Sequence, residues 1–356
     1  MLSWMIYGAN GYTGELIARE AVARGMKPIL AGRSENILER LGKELGCETR
    51  VFSLKTILEK VFVNLHESGV KCVLNCAGPF SQTARPLMEA CLSTGVHYLD
   101  ITGEIDVIEM AAALDQRAKQ SGVALIPAVG FDVVPSDCLA SQVCARLPDA
   151  THLQLAFTGL SILSPGTMKT TLENLPKGGR ARIDGKIHRV PTAWKSLKVP
   201  FREGPKLTIT IPWGDVASAF YSTGVPNIEV YATVSPEQAA WLRRLRWVLP
   251  LLKFGPLQRF LKRRIERTVR GPTAGDRAAG NSSLWCRATN DQGQSVDGTL
   301  TGPSAYELTV LTALATVEQV LGGQISPGFH TPSQAFGPTF INTIPGIDLR
   351  IESIVS

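Results

Sequence analysis

The segment Gly8-Ala9-Asn10-Gly11-Tyr12-Thr13-Gly14 is a glycine turn directly after the apolar run Leu2 to Tyr7. A turn of this kind, feeding a helix, lets backbone N–H groups close on a pyrophosphate at the positive end of that helix. Gly8, Asn10, Gly11, Tyr12, Thr13 and Gly14 are therefore candidate cofactor-binding residues. Arg33, nineteen residues past Gly14, ends a second apolar run, and Ser34 follows it. Asp or Glu at that point usually takes the ribose 2′-hydroxyl of NAD, whereas an arginine suits a 2′-phosphate. The pair implies NADP(H). The spacing G-x-x-G-x-x-G is looser than G-x-G-x-x-G, so a plain strand–helix turn that needs small residues is the competing account. Its place between an apolar strand and the helical pattern Leu16, Ile17, Ala21, Val22 favours the nucleotide.

Three further strings follow apolar runs where ligands bind in such sheets. Asn75-Cys76-Ala77-Gly78-Pro79-Phe80 offers a small pair for close backbone approach, a stiffening proline and an aromatic ring for the nicotinamide side. Asn75, Ala77, Gly78, Pro79 and Phe80 are assigned to the cofactor, against a tight turn with a core phenylalanine. In Tyr98-Leu99-Asp100-Ile101-Thr102-Gly103-Glu104 the alternation puts Tyr98 and Asp100 on one face. Gly103 and Glu104 fall at the cofactor edge, although Glu104 equally suits the first turn of the next helix. In Gly130-Phe131-Asp132, Asp132 either orients substrate or ties its loop, and Ser136 reads as the cap of the following helix. Further along, Ser164-Pro165-Gly166-Thr167 precedes a helix near Met168. It is either an anion-binding turn with Lys169 as its cation, or an ordinary helix start capped by Thr167. Tyr98, Asp132 and Lys169 are the candidate catalytic proton donors. The seven cysteines show no paired C-x-x-C spacing, and His66, His97, His152, His188 and His330 form no ligand or triad pattern, so neither a metal site nor a Ser-His-Asp hydrolase is expected.

The elements that must position these residues alternate in the manner of a doubly wound parallel sheet. Strands are expected near 3–7, 28–31, 49–52, 71–75, 97–100 and 123–126, and helices near 13–25, 34–46, 54–68, 81–94 and 105–121. Gly69, Gly95 and Gly122 each suit the left-handed residue that closes a helix. Near Pro148 the pattern changes to a second, α+β domain. Its strands are expected near 152–158, 206–211, 227–234, 284–289 and 296–301, and its helices near 168–175, 236–263 and 304–321. The division predicted is a Rossmann domain over 1–148 and a substrate or dimerisation domain over 149–356. The tail, 324–356, is Gly- and Pro-rich and is expected to pack back over the cleft. At 356 residues two domains are the natural expectation, with 44% hydrophobic and 19% charged residues. The first residues already read as a nucleotide-binding strand, which leaves no secretory leader, and no apolar run reaches the length of a membrane span. A reducing cytosol fits the scattered thiols.

The formal charge of +6 is concentrated. Between Arg243 and Arg270 stand ten Lys or Arg residues against the single acid Glu266, so the remainder of the chain is net negative. Trp241, Leu245, Phe254, Leu257 and Phe260 lie among them. Such a basic amphipathic stretch suits a membrane surface, an acidic acyl carrier protein, or simply a solvated helix interrupted by Pro250 and Pro256. No nucleic-acid motif accompanies the charge.

The strings GANGYTG (8–14), LAGR (30–33), NCAGPF (75–80), GVHYLDITGE (95–104), GFDVVPSD (130–137) and GFHTPSQAFGP (328–338) together resemble the saccharopine dehydrogenase-like oxidoreductases, in particular the trans-acting enoyl reductase branch. The resemblance is close over the nucleotide domain and looser toward the C-terminus. It implies an NADP-binding Rossmann domain, an α+β second domain, and reduction of double bonds in lipid-like or polyketide-like compounds. The residues that handle substrate carboxylate and amine in true saccharopine dehydrogenases have no counterpart that can be placed here. The expected activity is NADPH-dependent reduction of an activated, enoyl-type double bond on an apolar small molecule. Two alternatives stand beside it. One is imine reduction or amine oxidation, with Lys169, Lys177, Arg180 and Arg182 as carboxylate ligands, and the other is a non-catalytic NADP(H)-binding adaptor docking through the basic segment. A homodimer is compatible with each.

Overall fold

The structure is a computed structural model that describes residues 3–54, 58–158, 162–245, 249, 252, 254–323 and 325–355. The chain divides into two compact units, Met1–Asp132 with Leu308–Phe336, and Val133–Glu307 with Gly337–Ser356.

In the first unit six strands alternate with helices: β1 (Trp4–Tyr7), α1 (Tyr12–Ala23), β2 (Ile29–Gly32), α2 (Glu35–Leu45), β3 (Thr49–Val51), α3 (Leu58–Ser68), β4 (Cys72–Asn75), α4 (Phe80–Thr94), β5 (His97–Asp100), α5 (Ile105–Ala113), α6 (Asp115–Gln120) and β6 (Ala124–Ile126). All pair in parallel, and the order across the sheet is β6-β5-β4-β1-β2-β3. The crossover between β1 and β4 is the switch point at which such sheets open a ligand crevice beyond the carboxyl ends of their strands. β1, β2, β4 and β6 are buried along their whole length, because helices on both faces leave no strand face for polar residues. Gly69, Gly95 and Gly122 hold positive φ angles of 61°, 70° and 68° at helix ends, as their positions in the sequence require. The expected helix 105–121 is two, broken at Leu114, and residues 55–57 of the expected helix 54–68 lie outside the described residues.

The second unit begins earlier than the sequence pattern indicates. It opens with α7 (Val134–Cys144), ahead of the composition change near Pro148. There follow β7 (His152–Thr158), α8 (Pro165–Asn174), β8 (Gly179–Ile183), β9 (Lys186–Val190), β10 (Ser196–Phe201), β11 (Gly204–Thr210), α9 (Asp215–Thr223), β12 (Asn227–Thr233), α10 (Pro236–Leu245), α11 (Gly255–Thr268), α12 (Ala274–Ala279), β13 (Asn281–Thr289) and β14 (Ser295–Pro303). The sheet runs β10-β11-β12-β7-β13-β14-β16, its last strand being Asp348–Ile351, with a β8–β9 hairpin beside β12, and among the described residues only the β12–β7 pair is parallel. Residues of one face, Ala156, Val199, Phe201, Tyr231 and Trp285, form a core cluster, while Gly298 on the other face admits Val143 and Leu139 of α7. Three strands, β8 to β10, escape a pattern search because they are Arg- and Lys-rich, partly exposed, or interrupted by Pro200. Of the expected helix 236–263, α10 covers Pro236–Leu245 and α11 starts at Gly255 behind its cap Phe254, with Pro256 in the first turn, where a proline is tolerated; residues 246–248, 250, 251 and 253 lie outside the described residues.

The C-terminal segment serves both units. Helix α13 (Ala305–Leu321) leads back to the first, where the Thr309 hydroxyl accepts from Phe131 N at 3.1 Å and the Thr312 hydroxyl donates to Val129 O at 2.9 Å. Strand β15 (Gly328–Phe329) then adds to β6 in parallel, α14 (Pro332–Phe336) follows, and β16 (Asp348–Ile351) pairs with β14 in the second unit. The tail is thus an integral part of both sheets. Asp115 pins the added strand by accepting from Phe329 N at 2.9 Å, while Lys119 holds its other oxygen at 2.7 Å. Asp115→Ala is expected to raise amide exchange over 328–331 by about tenfold, through loss of roughly 1–2 kcal/mol of local stability, with β1 and β4 unaffected in the same hydrogen-exchange map.

Candidate functional site

The glycine turn hangs on the end of β2, since Gly8 N donates to Ala31 O at 2.7 Å and Gly11 N to Gly8 O at 2.9 Å. Gly8 has φ +89°, and a Cβ there would lie 2.8 Å from Ala77 N, so the loop after β1 runs directly against the loop after β4. A side chain on Gly14 would collide with the Gly8 carbonyl, and one on Gly32 would meet Asn10 Oδ1 at 2.8 Å. These are positions at which backbone must approach backbone, which explains the residue type at each. Gly11 caps α1 without any side-chain bond, and Tyr12 and Thr13 open the helix.

Arg33 stands exposed at the tip of β2, and Ser34 caps α2, again with no side-chain bond. Among the described residues Arg33 forms no ion pair. Burial pushes the Tyr7 phenol up, and the nearby Arg33 charge works against that shift. The edge thus presents a glycine turn at the start of α1 and an exposed cation at the start of α2.

The loop after β4 is organised by a buried polar relay. Asn75 Oδ1 accepts from Ala77 N at 3.0 Å, and its Nδ2 donates to Thr83 Oγ1 and to the Tyr98 hydroxyl, each at 3.2 Å. The Tyr98 hydroxyl donates to Asp100 Oδ2 at 2.7 Å. Asp100 Oδ1 accepts from Thr102 N at 2.9 Å and Ala128 N at 2.8 Å, and the Thr102 hydroxyl accepts from Glu104 N at 3.0 Å. Burial raises the Asp100 carboxyl to about 6, with the bonds from Ala128, Thr102 and Tyr98 opposing it. Tyr98 is wholly buried, and its phenol is pushed well above the usual range by burial and by Asp100. It is a link in the relay, not a group presented to a ligand.

Glu104 has a role that local sequence does not reveal. Its side chain does not cap its own helix; its two carboxylate oxygens accept from Phe80 N at 2.8 Å and Ser81 N at 3.0 Å, closing the N-terminus of α4. The N-terminus of α4 at the switch point is thus neutralised internally. Pro79 and the buried Phe80 accordingly serve the start of α4, while Gly78 is exposed beside Ala77.

Asp132 lies against Gly103, where a Cβ would come within 2.5 Å of Asp132 Oδ2. Burial raises this carboxyl to about 7. It is the candidate acid/base group that the structure places at the carboxyl edge of the first sheet.

The second-unit candidates fare differently. Helix α8 begins at Pro165, three residues before the expected start, and is capped by Ser164, whose Oγ accepts from Thr167 N at 3.2 Å. Ser164 N in turn donates to the Tyr306 hydroxyl at 2.5 Å. Lys169 is paired with Glu266 at 2.6 Å, Lys177 donates to Asn174 Oδ1 at 2.8 Å, and the buried Arg182 donates to Val216 O and Gly185 O. The anion-binding turn and its cation are thus satisfied within the unit, which removes Lys169 from the proton donors. Ser136 is not a helix cap either: α7 starts at Val134, and the Ser136 hydroxyl is bonded to the buried Asp215 at 2.7 Å. Among the described residues no cluster suits a metal ion.

A parallel sheet in this strand order, with a glycine turn and a cationic second strand end, defines a dinucleotide-binding fold. Residues 4–126 match the saccharopine dehydrogenase NADP binding domain, a match that supports NADP(H) as the cofactor. The chain is 32% identical over 150 residues to the saccharopine dehydrogenase-like oxidoreductase of Mus musculus, covering 37% of this chain and 35% of that protein. It is 31% identical over 165 residues to the trans-acting enoyl reductase of Mycobacterium leprae (strain TN), covering 45% of this chain and 40% of that protein. The chain thus spans little more than a third of the length of these curated relatives. The solved apo saccharopine dehydrogenase (L-Glu forming) from Saccharomyces cerevisiae superposes with a TM-score of 0.67 over 100% of both chains at 11% identity, a likeness of fold. Glu104→Ala is expected to cost about 2–4 kcal/mol in urea unfolding, by leaving two N–H donors of α4 unpaired, and Glu104→Gln about half as much.

Proposed function

We propose that this chain is an NADPH-dependent oxidoreductase that reduces an activated, enoyl-type double bond of an apolar, lipid- or polyketide-like small molecule. The observation that carries the reading is the conjunction, on one sheet edge, of the glycine turn before α1, the exposed Arg33 at the tip of β2 and a carboxyl whose affinity for a proton is raised to about 7. The M. leprae relative is named for enoyl reduction, which supports the choice of bond. The amine-handling alternative needs cations for a substrate carboxylate, and Lys169, Lys177 and Arg182 of the expected set are engaged within the second unit.

The residues that would hold the cofactor are Gly8, Asn10, Gly11, Tyr12, Thr13 and Gly14 at the pyrophosphate, Arg33 and Ser34 at the 2′-phosphate, and Ala77, Gly78 and Gly103 along the edge. Bound NADPH supplies a hydride. Saturating a double bond also consumes a proton, and Asp132 is the group that holds one near neutral pH. Its protonated fraction falls as pH passes 7, so turnover is expected to decline on the alkaline side. The relay from Asn75 to Asp100 fixes the loop after β4 and needs no movement to do so.

Arg33→Ala is expected to weaken NADPH binding by roughly 1.5–3 kcal/mol while leaving NADH unchanged, as read by fluorescence titration of each nucleotide. Equal loss for both would remove the 2′-phosphate assignment. Asp132→Asn is expected to lower kcat for NADPH oxidation with an α,β-unsaturated thioester by about 10²–10⁴-fold and to abolish the alkaline limb, with NADPH affinity retained. A stability consequence accompanies it. The folded-state value of Asp132 lies above the unfolded value of about 4, so the unfolded chain binds fewer protons between pH 4 and 7 and stability falls as pH rises through that window. Asp132→Asn should remove its share over the whole of that window and leave the fall between about pH 4 and 6 that Asp100 supplies. Activity on imines with none on enoyl compounds would transfer the reading to amine chemistry.

A further inference from the structure

Helix α11 is amphipathic in an unusual sense, since both of its faces carry charge but only one is used by the protein. Gln258, Leu261, Lys262, Ile265 and Val269 are partly covered, and this face runs along α8, held there by the Lys262–Glu173 and Lys169–Glu266 ion pairs. The second of these contacts engages Glu266, the only acid in the sequence between Arg243 and Arg270. The opposite face presents Arg259, Arg263, Arg264 and Arg267, all exposed, and among the described residues none of them forms an ion pair. Phe260 projects from the middle of these arginines with 61% of its surface exposed, Leu257 stands one turn nearer the N-terminus, and Phe254 at the cap is 65% exposed. On the neighbouring α10, Trp241 is 56% exposed beside Arg243 and Arg244.

A solvated helix needs arginines but gains nothing from exposed aromatic rings among them. Rings that enter an acyl boundary, flanked by cations that meet headgroup phosphates, are the pattern of a helix lying in a membrane interface. The single sign of the charge selects the surface: a zwitterionic bilayer offers no field to these arginines, whereas an anionic leaflet does.

We propose that the outer face of α11, with Phe254, Leu257 and Phe260 as its apolar wedge, docks this protein on an anionic lipid bilayer surface. Among the described residues no helix is long and apolar enough to cross a membrane, so the contact is peripheral. Docking requires neither nucleotide nor turnover, and its test is separate from that of the reductase reading.

The experiment is co-sedimentation of the full chain with sucrose-loaded vesicles of phosphatidylcholine alone and of phosphatidylcholine with phosphatidylserine. Binding is expected only to the second and is expected to fall with added salt. Each arginine near an anionic surface contributes about fivefold in partitioning, so Arg263→Glu/Arg264→Glu should lower it by at least about 25-fold. Phe260→Ser should weaken binding without changing its salt dependence. Both variants are to retain the wild-type circular dichroism melt, and Arg259→Gln/Arg267→Gln provides a milder second pair. Three results would each overturn the proposal: no binding to either vesicle, equal binding to both, or a concentration-dependent dimer in light scattering that Phe260→Ser dissolves. The last of these would make a second copy of the chain the occupant of this face.

Discussion

A carboxylate sealed at the carboxyl ends of three parallel strands is the constraint on which the rest of the first unit depends. Asp100 is fully buried, and an isolated charge there would be very costly. It is kept by three donors, the Tyr98 hydroxyl, Thr102 N and Ala128 N, which belong to β5, its exit loop and the loop after β6. Satisfying the one group therefore sets the relative position of three chain segments. Ala128 adopts φ 61°, a left-handed conformation that costs a residue with a Cβ about 1–2 kcal/mol. A hydrogen bond to an ionised acceptor is worth about 1.5–3 kcal/mol, enough to offset it. Through Tyr98 the same carboxylate reaches Asn75, and Asn75 shapes the turn that meets Gly8.

The two helix ends at the switch point show how a fold divides its electrostatic assets. Helices α1 and α4 both direct a positive N-terminus to the crevice between β1 and β4. Glu104, beyond the end of the adjacent β5, occupies the second of them, and the first begins behind Gly11, which has no side chain. On the same edge stand the glycine turn after β1 and the exposed Arg33 at the tip of β2. The proton-holding carboxyl of Asp132 sits at the same edge because Gly103 leaves room for it. In the second unit the polar candidates are spent on cohesion, with Lys169 and Lys262 fastening α11 to α8. What that fastening leaves over is a row of arginines around exposed rings.

The sequence by itself determined the local pieces. Strand-forming runs bounded by glycines, the turn at Gly8–Gly14, the left-handed residues at Gly69, Gly95 and Gly122, and the cation at Arg33 are all properties of a few adjacent residues, and each is found where the pattern puts it. The face shared by Tyr98 and Asp100 was legible for the same reason, because alternation is local. Tertiary structure decided the partners. Glu104 finds the amides of Phe80 and Ser81 at a separation of 24 and 23 residues, and Lys169 finds Glu266 at a separation of 97. No spacing rule reaches so far, since which polar groups meet depends on strand order and register. The return of 308–336 to the first unit, and the early start of the second at Val133, have the same origin. Backbone conformation is encoded over a turn or two of chain, whereas the fate of a polar side chain is settled by whatever the folded chain brings beside it.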